Sequence, residues 1–75
     1  MELNELHKLA ILCMNGGISF EHAHMYGVGA TLNLLDFAGE VLDEACLYNG
    51  KLWAGSVPYK HPTAQEVFER WKEMV

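Results

Sequence analysis

The chain has 75 residues and a mass of 8.4 kDa, enough for one small domain. An apolar fraction of 51% with 20% charged residues excludes disorder arising from low hydrophobicity. Ten acids against five bases leave a formal charge of −5, so direct nucleic-acid binding, which needs clustered Lys and Arg on the phosphates, is not expected.

The acidic start, Met1-Glu2-Leu3-Asn4-Glu5, lacks the basic segment that opens a secretory leader. There is no uncharged apolar run of ~18 residues, so no membrane span is expected. A cytoplasmic location follows as the expectation, with Cys13 and Cys46 as free thiols. A domain of this size usually needs a staple, and two cysteines allow one disulfide at most. Self-association is then the expected staple, which predicts a homodimer.

Residues 3–14 read as a first helix, stopped by Asn15-Gly16-Gly17. Leu3, Leu6, Leu9, Ala10, Cys13 and Met14 share one broad side of it. Ser19 then stands as an N-cap with Glu21 in the first turn, which predicts a short helix from Ser19 to about Tyr26. Gly27-Val28-Gly29 breaks or bends it. Residues 18–35 are spaced in part like a helix-turn-helix, with Ala23 four residues before Gly27 and Val28 just after it. No Lys or Arg follows between Gly29 and Leu35, so that spacing describes packing rather than DNA reading.

Residues 30–48 carry the most weight. Placed on a helical wheel, their apolar residues cover an arc of about 220°, twice the stripe of an ordinary surface helix. That predicts a helix packed on its own domain with one flank and on a second copy with the other. Leu34, Ala38, Val41, Leu42 and Ala45 are the candidate dimer interface, with Ala38, Gly39 and Ala45 small enough for a close crossing. The opposite arc carries Asp36, Glu40, Asp43 and Glu44, a candidate docking stripe for a basic protein partner.

Asn49-Gly50 reads first as the C-cap of that helix, and the same dipeptide fits a two-residue hairpin turn. Residues 51–62 hold both prolines and too much aromatic area for a flexible linker. Trp53, Tyr59 and His61 make this an ordered aromatic loop and a second candidate partner surface. The last helix opens on a Thr63/Glu66 capping box, with Val67, Phe68, Trp71, Met74 and Val75 on one arc of about 120°.

Catalytic and metal patterns are weak. His22 and His24 would point about 200° apart on a helix, which removes them as a shared chelate. Cys-x-x-Cys, His-x-x-x-His and phosphate-loop spacings are absent, so no catalytic residue, metal or cofactor is expected. The whole predicts an all-α fold over residues 1–75: a bundle of three to four short helices with an ordered aromatic loop before the C-terminal one. The expected function is a non-enzymatic, acidic interaction module that binds and inhibits another macromolecule. Small accessory proteins of phages and mobile elements have this style. The alternative is a degenerate helix-turn-helix-like regulator or a cofactor of one.

Overall fold

The structure, a computed structural model, describes residues 3–25, 29–60 and 62–75. It is mixed α+β rather than all-α. In chain order it runs α1 (Glu5–Gly16), β1 (Phe20–Met25), β2 (Gly29–Leu35), β3 (Val41–Tyr48), β4 (Lys51–Ala54), β5 (Val57–Pro58) and α2 (Ala64–Met74). The five strands form an antiparallel meander in sequence order, β1-β2-β3-β4-β5.

Both terminal helices form, α1 starting and ending two residues later than the expected 3–14. Asn4 Oδ1 accepts the His7 N–H at 2.8 Å, and Gly17, at φ 71°, ends α1. Ile18 N–H then reaches back to the Cys13 carbonyl at 2.9 Å, so an orphan carbonyl of the last turn is satisfied. Thr63 Oγ1 accepts the Glu66 N–H at 3.3 Å, as the capping box requires. A second cap comes from the other helix. Glu5 Oε2 accepts the Ala64 N–H at 2.6 Å, and this bond holds the Glu5 carboxyl below its usual range. The helices meet at Gly16, where a Cβ would lie 2.9 Å from Phe68 Cζ.

The expected helices over 19–26 and 30–48 are strands, and the helix-turn-helix spacing dissolves with them. Residues 26–28, where its turn would lie, fall outside the described residues. Period two explains the change. Phe20, Leu32, Leu34, Ala45, Leu47 and Leu52 stand at alternate positions of their strands and fall on one face of the sheet by register. That face meets Leu6, Leu9 and Cys13 of α1 and Val67, Phe68 and Trp71 of α2 in the core. Asn49-Gly50 is a hairpin turn rather than a helix cap. Asn49 at φ 52° and Gly50 at φ 73° join β3 to β4 with Tyr48 opposite Lys51.

α1 packs over one face of β2, β3 and β4, α2 lies against α1 and reaches β3 through Trp71, and β1 is the edge strand beside β2. No described helix is long and apolar enough to cross a membrane.

Candidate functional site

The five-residue connection between β2 and β3 is built by its own side chains. Asp36 C=O accepts the Gly39 N–H at 3.1 Å, and Asp36 N–H donates to the Glu40 carbonyl at 2.9 Å. Asp36 Oδ1 also accepts from the Ala38 and Glu40 amides, both at 2.9 Å. Gly39 takes φ 84°, a conformation that side chains resist. Asp at the first position and Gly at the fourth is the chemistry this turn favours.

The turn lifts Phe37 entirely into solvent, at 103% of its reference area. Leu42 and Val41 follow on β3, and Leu42 pairs with no single residue because the ladder shifts register between Leu34 and Leu35. Met74 and Val75 come up beside them from α2, and Ile18 and Leu35 floor the groove between, of about 510 Å³. Phe37, Leu42, Met74 and Val75 line it and are all exposed. A monomer usually hides such a group, and a contiguous apolar patch of this kind marks a contact surface.

No family model, curated protein or solved structure matches the chain.

The residues singled out from sequence are redistributed. The acidic stripe belongs to a helix that does not form. Asp36 and Glu40 sit together in the turn, while Asp43 and Glu44 point to opposite faces of β3. Asp43 is committed inside: its Oδ2 accepts from Trp71 Nε1 at 2.9 Å and from Tyr59 O–H at 2.8 Å. Glu44 lies on the helix-free face, its Oε1 next to Gly55. The expected dimer surface divides as well. Leu34 and Ala45 have no exposed area because they are core residues of their own chain, so they cannot form an interface, and the small-residue helix crossing has no helix. Ala38, Val41 and Leu42 remain at the surface, all at the Phe37 end.

The aromatic loop is mostly sheet. Trp53 lies on β4 and faces Tyr48 edge-on at 5.8 Å, its Nε1 donating to the Tyr48 carbonyl at 3.0 Å. Tyr59 is half-buried against the core, and its single hydroxyl proton is shared between Asp43 Oδ2 and the Glu44 carbonyl at 2.9 Å. Burial, then the hydrogen bond to Asp43, push its phenol well above the ordinary value. His61 lies outside the described residues.

Cys13 and Cys46 are free and fully buried, Cys13 in the core and Cys46 on the helix-free face. Burial pushes the Cys13 thiol up to about 11. Burial, then the Glu44 charge, raise Cys46. Neither thiol is accessible or activated as a nucleophile needs to be. Among the described residues no cluster of three or more His, Cys, Asp and Glu side chains could hold a metal ion.

Sequence reasoning missed Phe37. The signal was present in Asp36-Phe37-Ala38-Gly39, a turn tetrapeptide between two alternating segments.

Proposed function

We infer that the chain is a small, non-enzymatic protein-binding module whose contact surface is the β2–β3 end of the sheet. Phe37 is the anchor, and Leu42, Met74 and Val75 are its apolar surround. The observation that carries this reading is the full exposure of Phe37 on a turn held by four hydrogen bonds. An exposed aromatic on a preordered loop loses little freedom when a partner pocket closes on it, and aromatics dominate binding hot spots. Asp36 and Glu40 put two acidic residues in the same turn as Phe37, which suits a pocket with a basic rim and mainly quickens association. By occupying its partner's pocket the module blocks it, and that is its modulating action.

A photo-crosslinking phenylalanine analogue at position 37 tests this in extracts of the source cells. One defined heterologous protein adduct is expected from position 37 and not from position 57, an exposed site on β5. An Asp36→Ala change in the same chain is expected to reduce that adduct several-fold by loosening the turn. Equal labelling from both positions, or labelling of the chain itself alone, would overturn the reading.

A further inference from the structure

The two edges of the sheet are unlike. β5 is only two residues long and contains Pro58, which has no N–H to offer a neighbouring strand. β1 has six residues, Phe20–Met25, and carries no proline, Lys, Arg or register shift. Such an edge is open to pairing with another strand.

β1 also carries two histidines, and on a strand their geometry reverses the helical expectation. His22 and His24 are two residues apart, so they share a face, with Cα atoms about 7 Å apart. Their register opposite Leu32 and Ala30 puts that face on the helix side of the sheet, yet both are exposed, and α1 packs over β2, β3 and β4. The His22 ring is steadied edge-on against Phe20 at 5.6 Å. Glu21, the carboxylate of this strand, is turned to the other face, where its Oε1 accepts from Asn33 Nδ2 at 3.2 Å.

We propose that β1 is a zinc-responsive self-association edge: two copies pair antiparallel through β1, and His22 and His24 of both supply four imidazoles to one Zn²⁺-class divalent ion. Symmetry fixes the occupant. A two-fold axis normal to the sheet sets even-numbered residues opposite even-numbered ones, so the histidines of both copies meet on one face. With Ala23 on the axis, His22 of each copy stands opposite His24 of the other, and the four imidazoles border one point. Opposed Cβ atoms lie about 5 Å apart, and a tetrahedral zinc site takes four nitrogens at about 2.0 Å. One copy offers two ligands, and a second copy of the same strand completes the set. The site lies on β1, apart from Phe37, and does not depend on the binding role inferred for that residue.

Light scattering and calorimetry with ZnCl₂ as the probe test the proposal. Zinc is expected to double the molar mass from 8.4 kDa, with half an equivalent bound per chain, and EDTA to reverse it. His22→Ala and His24→Ala should each keep the mass single under the same zinc, while His7→Ala on α1 should double as the parent does. Ala23→Lys leaves both histidines and guards the edge with charge, and it should also stay single, with circular dichroism confirming that each variant is folded. A mass unmoved by zinc overturns the proposal. So does doubling that survives EDTA, either histidine substitution, or Ala23→Lys.

Discussion

Trp71→Ala is expected to lower the thermal midpoint by more than 10 °C. Trp71 is fully buried between the helices and the sheet, and its indole N–H donates to Asp43. Truncating a buried Trp costs about 3–5 kcal/mol. A domain of 75 residues holds only about 4–11 kcal/mol in total, and each kcal/mol moves the midpoint by about 4–8 °C. Trp71→Phe separates the two contributions. It keeps most of the ring and loses the donor, so about 1–3 kcal/mol should go. Thermal melts followed by circular dichroism read both. A Trp71→Ala variant melting within 3 °C of the parent would contradict the place given to this side chain.

Asp43→Ala is expected to cost about 2–4 kcal/mol, an unusual amount for a carboxylate that a helical wheel puts in water. It leaves the buried Trp71 indole N–H without its acceptor and the Tyr59 hydroxyl with the Glu44 carbonyl alone. Tyr59→Phe alone should cost about 1–2 kcal/mol, and the double variant less than the sum, because the two side chains share one hydrogen bond. The pair also has a signature in base. The raised phenol of Tyr59 means the fold favours the neutral ring. That contribution is complete below the ordinary value near 10 and is lost as pH climbs above it toward the folded value. Denaturant midpoints between pH 9 and 11.5 should therefore fall more steeply for the parent than for Tyr59→Phe. The Cys13 thiol adds an alkaline loss from 9.0 upward in both. Parallel curves for the two proteins would contradict the Asp43–Tyr59–Trp71 cluster.

The two helices were legible because their signals are local: Asn15-Gly16-Gly17 as a stop, Thr63 and Glu66 as a cap, and apolar residues at helical spacing. The sheet was misread over residues 30–48 for a definable reason. Leu32 and Leu34 alternate with Thr31 and Asn33, and Ala45 and Leu47 with Glu44 and Cys46. Plotted at 100° per residue, period-two positions scatter around the wheel and widen the apolar arc. The about 220° arc was thus the imprint of two strands, and Gly39 in its middle is the turn between them. Asn49-Gly50 had already offered a hairpin, and taking it would have set β3 and β4 in register.

The site was less legible than the fold, since exposure depends on tertiary packing. The turn tetrapeptide places Phe37 on a connection, but only tertiary packing leaves it in water while Phe68 closes over Gly16. Asp43 and Glu44 are neighbours in sequence with opposite fates, because adjacent residues of a strand face opposite sides. The histidine pair shows the same dependence. His22 and His24 diverge on a helix and converge on a strand, so their chemistry follows the element that carries them.

If residues 36–40 hold Phe37 ready for a partner, the turn is already ordered in the free protein, and backbone ¹⁵N relaxation reads that order. Four hydrogen bonds close this turn, so the amides of Phe37 to Glu40 should have order parameters near 0.85, matching the strands on either side. Values below about 0.6 at these residues, with β2 and β3 rigid, would mean that Phe37 sits on a loose loop, and the account of a preordered anchor would be contradicted.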